Sequence, residues 1–309
     1  MRPIATLTLN PAIDISSEAE NVHPTQKTRI FGERIEPGGG GVNVARALAA
    51  FDAAVRAIYL AGGSTGRALD HMLELRGIQR TCIDIPGNTR MSLTVLDRST
   101  GEEYRFVPEG PEVPEQAWRA CLDEAKRCGC GYLIASGSLP RGVPDDFYAI
   151  LSMALRETGV RFVLDTSGPE LRAALDQGGL FLIKPSHGEL AELAGRRLDD
   201  VDAVRDFATG IVTAGKVEHV AVTMGDKGAL LASSGGSWFL PAVPVEARSA
   251  VGAGDSFVAA MTYGFATGLD AKQAFRLGMA AGAAAVRAPG MELCNAEDVK
   301  QLLEQVPQL

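Results

Sequence analysis

The sequence predicts an α/β fold: a doubly wound, mainly parallel sheet flanked by helices, with a small inserted β-sheet as a lid. Three observations lead there. Strand-like apolar runs alternate with helix-period segments along most of the chain, the pattern of βαβ units. Two segments, about 15–37 and 89–107, break that alternation with short polar-alternating runs that fit no crossover helix. The length of 309 residues, with 46% hydrophobic and 22% charged composition, suits a large globular unit. We expect a single domain over residues 1–309, with the two exceptional segments forming its lid.

Taken in order, the strand-like runs are Ile4–Leu9, Val55–Ala61, Tyr132–Ser136, Arg161–Asp165, Leu180–Lys184 and His219–Thr223. Most are nearly continuous apolar runs, as in strands covered on both faces. Helical spacing covers Val42–Phe51, Arg67–Arg76, Pro114–Cys128, Asp145–Glu157, Pro169–Gln177 and Val201–Ala214. The last third changes to a hairpin pattern over Ala229–Leu240. Helices follow at Ser256–Thr267, Ala271–Val286 and Ala296–Gln305, the last with Asn295 as its N-cap and Asp298 in its first turn. Within the inserted segments, Ser99-Thr100-Gly101 between Leu96 and Tyr104 reads as a hairpin turn. Both segments carry cations: Lys27 and Arg29 in the first, Arg90 and Arg105 in the second.

The net charge of -8, with no basic patch, argues against nucleic acid as a partner. No apolar run reaches membrane-spanning length; the run around Leu277 to Val286 stops at Arg287. The N-terminus opens directly into a strand-like run without a basic leader. The five cysteines are odd in number and irregularly spaced, so we expect reduced, buried thiols and a cytoplasmic setting.

The chemistry gathers at Ser249–Phe257. Gly252, Ala253 and Gly254 carry nothing bulky, so their N–H groups can converge on one point at a helix N-terminus, where an anion is favoured. Asp255 follows at once. An anion cradle beside a general base is the minimum equipment for phosphoryl transfer to an alcohol. Other candidates lie at strand ends, where α/β sheets bind ligands. Asp14 follows the first strand and can accept from sugar hydroxyls. Gly38 to Gly41 allow backbone to press on a ligand, with Asn43 just beyond. Ser136 to Pro140 presents hydroxyls and N–H groups, Lys184 can meet phosphate, and Glu189 can hold Mg²⁺ through water. Thr223 to Gly228 forms a turn suited to a nucleotide. Gly62 to Gly66 also matches the G-x-S-x-G elbow of α/β-hydrolases, but Ser64 comes early and His187 and His219 sit in unhelpful contexts. Neither G-x-x-x-x-G-K-[ST] nor G-x-G-x-x-G occurs.

Together these motifs resemble the PfkB/ribokinase family of carbohydrate kinases, from Thr6 to about Leu303. The carrying signatures are Gly38–Arg46 and Ala250–Phe257. The resemblance implies a ribokinase-like fold, a lid that often serves as a dimer interface, and ATP with Mg²⁺ as the phosphoryl donor. It implies Asp255 as catalytic base and the N–H groups of Gly252, Ala253 and Gly254 as anion hole. Asp14, Gly39, Gly40, Asn43 and Ser138 would face the sugar. Lys184, Ser186, Thr223, Gly225, Gly228, Ser249, Met279 and Ala283 would line the nucleotide site, and Glu189 would handle the metal. Lys27, Arg90 and Arg105 suit an acceptor that already carries a phosphate.

Within the family the sequence is most similar to the 6-phosphofructokinase branch, through Thr6–Leu9, Gly38–Arg46 and Gly101–Phe106. Fructose 6-phosphate is then the implied acceptor. Kinases of fructose 1-phosphate and tagatose 6-phosphate usually carry Lys where this chain has Gly40, although Asn10–Asp14 resembles them equally. One departure is plain: the family's N-x-x-E motif appears here as Ser186-His187-Gly188-Glu189. That departure leaves open a catalytically silent sugar-phosphate sensor on the same fold.

Overall fold

The computed structural model describes residues 1–309. The chain begins β1 (Ile4–Thr8), β2 (Ala12–Ala19), β3 (Phe31–Gly38), α1 (Gly40–Ala49), β4 (Val55–Ala61), α2 (Gly63–Leu75), β5 (Gln79–Asp84), β6 (Arg90–Asp97) and β7 (Glu103–Phe106). It continues α3 (Glu115–Arg127), β8 (Tyr132–Ser136), α4 (Phe147–Leu155), β9 (Arg161–Asp165), α5 (Gly168–Gln177), β10 (Leu180–Ile183), α6 (His187–Ala194), α7 (Val201–Thr213) and β11 (Val217–Thr223). It ends β12 (Ala229–Ser233), β13 (Gly236–Leu240), α8 (Ala253–Thr267), α9 (Ala271–Arg287) and α10 (Ala296–Leu303).

Nine strands form one sheet in the order β13-β12-β11-β10-β9-β8-β1-β4-β5. It is parallel from β11 to β5, and the hairpin β12–β13 closes one edge antiparallel. Strand alternation splits the core in two. Ile4, Tyr59 and Ile134 face α1, α2, α8, α9 and α10, while Leu7, Ile58 and Leu133 face α3 to α7. Each such fully buried aliphatic or aromatic side chain contributes about 1.5–3 kcal/mol relative to exposure. Gly264 and Gly278 let α8 and α9 pack closely; a methyl group on Gly264 would lie 3.0 Å from the Ala274 Cα.

Two elements lie outside the sequence reading. The edge strand β5 alternates exposed and half-buried residues, so it shows no apolar run. Helix α6 is only eight residues long and starts on a capping box made by Ser186 and Glu189.

The remaining four strands form a separate sheet in the order β3-β2-β6-β7. Register sorts its faces. Ile15, Ile35, Leu93 and Phe106 share one row; Asp14, Glu36 and Ser92 share the next, and Thr94 lies opposite Arg105. One face is therefore apolar, with Ile35, Met91 and Phe106 exposed, and the other polar.

The cysteines correct one expectation. Cys121 and Cys294 are buried thiols, but Cys82 is exposed, and Cys128 and Cys130 are joined by a disulfide. Gly129 at φ 63 turns the chain so that the two cysteine Cα atoms lie 5.3 Å apart.

Candidate active site

The chain leaves β1 toward β4 on one side and reaches β8 on the other, so a crevice opens at the carboxyl ends of β1 and β8. Glycines press α1 onto that crevice. A Cβ on Gly39, at φ 96, would lie 2.9 Å from the Pro11 Cα. One on Gly41 would lie 2.6 Å from the Leu7 carbonyl oxygen. One on Gly40 would lie 2.8 Å from the Ser136 carbonyl carbon and 2.9 Å from the Gly137 nitrogen. Only glycine permits this approach, and it brings Asn43 of α1 over the start of α8.

There Asn43 Nδ2 donates to Asp255 Oδ2 at 3.0 Å. Ser136 Oγ lies 3.5 Å from Asp255 Oδ1 and 3.4 Å from Asp165 Oδ2. Lys184 Nζ pairs with Asp165 Oδ1 at 3.2 Å, with 8% and 14% of the two side chains exposed. Burial, reinforced by the Asp165 carboxylate, pushes Asp255 up to about 6, against the Asn43 hydrogen bond and Lys184. Burial alone would lower Lys184, but Asp165, Glu189 and Asp255 outweigh it and hold the ammonium charged.

Gly252 caps α8 in the left-handed region, φ 74. The N–H groups of Gly252, Gly254 and Asp255 donate to no protein acceptor, while that of Ala253 reaches the Ala250 carbonyl at 3.4 Å. A Cβ on Gly254 would lie 3.1 Å from Lys184 Nζ. Free N–H groups, the helix dipole and a buried ammonium thus converge beside a carboxylate poised to take a proton.

On the opposite side stands the polar face of the small sheet. Burial raises Asp14, opposed by Arg90, Ser92, Arg46 and Arg105. Arg90 donates to the carbonyls of Asn10 at 2.8 Å and Pro108 at 3.1 Å, leaving Nε buried without a partner. Arg105 is exposed on β7, in the same alternation as Asp14. Ser138 is exposed just past β8. Lys27 is exposed in the loop between β2 and β3 and makes no ion pair or side-chain hydrogen bond, so the structure does not bring it to the others.

This chain is matched over residues 8–298 by the model of the pfkB family carbohydrate kinases. The chain belongs to that family. A Mycobacterium tuberculosis ATP-dependent 6-phosphofructokinase isozyme 2 is 40% identical, over 97% of this chain and 89% of that protein. The Escherichia coli phosphofructokinase-2 solved in complex with fructose-6-phosphate superposes with a TM-score of 0.93 at 36% identity, covering 99% of both chains. A Bacillus subtilis 1-phosphofructokinase is 32% identical over 98% of both proteins. The fold is accordingly the ribokinase-like one, which an Arabidopsis thaliana ribokinase structure shares at a TM-score of 0.76.

In this carbohydrate kinase the candidate nucleotide side begins where β10 and β11 end. Thr223 N–H donates to the Pro185 carbonyl at 3.0 Å, which sets Lys184–Ser186 beside the Thr223–Gly228 turn. Gly225 has φ 60 and open space around it, whereas Gly228, φ 116, is packed against the backbone of 240–242. Ser249 is buried and its Oγ accepts from the Val251 N–H at 3.2 Å. Met279 is a core residue of α9, and Ala283, one turn on, packs half-buried against the same core. Glu189 Oε2 accepts from the Ser186 N–H at 2.7 Å, and Ser186 Oγ accepts from the Glu189 N–H at 3.3 Å. Ser186 therefore has a concrete task as a helix cap, and one Glu189 oxygen is already committed.

Asp165 stands in the candidate site although the sequence reading passed it over. Asp165 and Ser136 sit level on neighbouring strand ends, Ser136 opposite Asp165 in the β8–β9 register. A carboxylate ending a buried parallel strand was the available signal. Asn43, expected to face sugar hydroxyls, gives one amide hydrogen to Asp255 and accepts from Arg46, which leaves one donor and one acceptor site on the amide. The hydrolase alternative loses its geometry. Ser64 starts α2 with its N–H on Asn88, while His187 bonds the Leu198 carbonyl and His219 is enclosed by Phe181 and Phe265.

Proposed function

We propose that the chain transfers the γ-phosphoryl of ATP to the 1-hydroxyl of fructose 6-phosphate, giving fructose 1,6-bisphosphate. The observation that carries the reading is the placement of Asp255 between the free N–H groups of α8 and the polar, arginine-bearing face of the small sheet. Asp14 receives sugar hydroxyls, while Arg90 and Arg105, joined by Lys27 when its loop approaches, receive the 6-phosphate. Asp255 takes the hydroxyl proton as the γ-phosphoryl moves in line, and Gly252, Ala253, Gly254 and Lys184 hold the charge that develops. The turn Thr223–Gly228 and Ser249, Met279 and Ala283 bound the nucleotide.

Glu189 offers the oxygen donor that Mg²⁺ favours, with Oε1 left without a protein partner. When bound, Mg²⁺ neutralises phosphate charge. Gln also completes a capping box, so Glu189→Gln should preserve the α6 cap while removing the charge. We expect it to raise the Mg²⁺ concentration for half-maximal rate about tenfold with Tm unchanged. An unchanged Mg²⁺ titration removes Glu189 from this role.

The deciding assay is ATP-dependent ADP release with fructose 6-phosphate, tagatose 6-phosphate, fructose 1-phosphate and free fructose at equal concentrations. Preference for fructose 6-phosphate supports the reading. Preference for fructose 1-phosphate supports the second reading, 1-phosphofructokinase, which the Bacillus subtilis relative keeps in view. Turnover of free fructose alone would remove the arginines from phosphate recognition. ADP release with none of the four, despite ATP binding, would favour the sensor.

The exposed apolar face of the small sheet suits a second copy of the chain in a homodimer, and a cytoplasmic setting fits this substrate. No helix is long and apolar enough to cross a membrane. Ile35 and Phe106 are 52% and 57% exposed in the same register row. We expect Ile35→Glu with Phe106→Glu to convert the dimer to monomer in analytical ultracentrifugation. An undisturbed dimer would place the interface elsewhere.

A further inference from the structure

Asp255 does not stand alone, and the hydrogen bond that orients it has a cause one residue further out. Arg46 Nη1 donates to Asn43 Oδ1 at 3.2 Å and to the Pro37 carbonyl at 2.8 Å, and Nη2 pairs with Glu36 Oε2 at 2.7 Å. Only 11% of the Arg46 side chain is exposed. Glu36 is held from the other side by Arg76, at 2.5 Å. A guanidinium has donors and no acceptor, whereas an amide has one end of each kind.

We propose that Arg46 is a positioning residue for the catalytic base: by fixing which way the Asn43 amide faces, it makes Nδ2 donate to Asp255. A flipped amide would set Oδ1 against the Asp255 carboxylate and the NH₂ against the guanidinium, losing both hydrogen bonds and facing like against like. The relay runs Glu36–Arg46–Asn43–Asp255, so the base is oriented from β3, at the root of the small sheet. The proposal rests on the reading of Asp255 as base. The groups acting on Asp255 are Asp165 from β9, Lys184 just past β10, Ser136 from β8, and Asn43 and Arg46 from α1.

The test compares Arg46→Lys, Arg46→Gln, Asn43→Leu and the double variant Arg46→Gln/Asn43→Leu. The readouts are kcat, both KM values and the pH profile of kcat/KM, with Tm as a folding control. Lysine carries donors only and should keep the amide orientation; glutamine can satisfy either orientation. We expect Arg46→Gln to lower kcat about tenfold and to move the acid limb up by about half a pH unit, since Asp255 loses a donor and a nearby cation. Arg46→Lys should restore most of both. In the Asn43→Leu background Arg46→Gln should add little to the loss of kcat, because the orientation passes through Asn43; only the part of the acid-limb shift due to the lost cation should remain. An unmoved acid limb, or losses that multiply in the double variant, overturns the proposal. A reading without variants is the Asn43 side-chain amide in ¹⁵N NMR of the wild-type protein. One protected conformer supports the relay, and two interconverting conformers overturn it. Failure of the base reading looks different: Asp255→Asn would then keep both turnover and the acid limb.

Discussion

Asp255→Asn lowers kcat by about two to four orders of magnitude, with the KM values for ATP and sugar phosphate within about threefold of wild type. Asparagine keeps the shape and can still accept from Asn43, so binding surfaces survive, but it cannot take the proton. In the wild-type enzyme we expect the same group to set the acid limb of kcat/KM near pH 6, because burial raises Asp255 to about 6. Activity should then fall as pH drops through that value. The stability sign is opposite. A carboxyl raised in the folded state favours folding below its unfolded pKa, and that contribution is lost as pH rises through the folded value. Asp255→Asn should therefore be more stable than wild type at pH 7, by about 1–3 kcal/mol, and the gain should vanish below pH 4. Denaturant titration at pH 4 and pH 7 checks the sign. Near-normal turnover in this variant would take the proton-transfer role from Asp255.

Lys184→Met carries the second large effect, and it strikes stability and rate together. The ammonium lies between Asp165 and the first turn of α8, and both side chains of the ion pair are largely buried. Removing one partner leaves Asp165 charged or forces it to protonate, at a cost of about 3–5 kcal/mol. We also expect kcat to fall about 100-fold or more, since the cation nearest the Gly254 backbone is gone. The double variant Lys184→Met/Asp165→Asn separates the two. It should recover most of the lost Tm, because no unpaired charge remains, yet recover little turnover. Recovery of both would make Lys184 a purely structural counter-ion.

These two residues also show what the chain reveals on its face. Asp255 and its glycines are contiguous, and helix-terminus physics makes their arrangement readable locally. Lys184 ends an apolar run, so its position at the sheet's carboxyl edge was legible too. Asp165 ends an apolar run in the same way, but its partners were not legible, because nothing near Arg161–Asp165 signals that β9 lies between β8 and β10. Its importance comes from two strand neighbours, Ser136 and Lys184, distant in sequence. The partner of Asn43 was hidden for the same reason: 212 positions separate it from Asp255. The doubly wound sheet followed from alternating runs, whereas β5 escaped because an edge strand needs no apolar face on both sides. Glu189 was read as a holder of Mg²⁺ through water, and its capping partner became visible only as geometry.

The contact between Gly40 and the Ser136–Gly137 peptide bears on how this enzyme's preference can change over time. Any amino-acid replacement at position 40 adds at least a Cβ facing main-chain atoms, which no rotamer change can clear. A lineage moving from glycine to lysine at this position must first relocate the peptide after β8. That peptide's own serine touches Asp255 and Asp165, so the enabling step is exposed to selection on catalysis before any new substrate is gained. If position 40 sets sugar-phosphate preference, changing that preference is an order-dependent path of at least two mutations, and reversal faces the same gate from the other side.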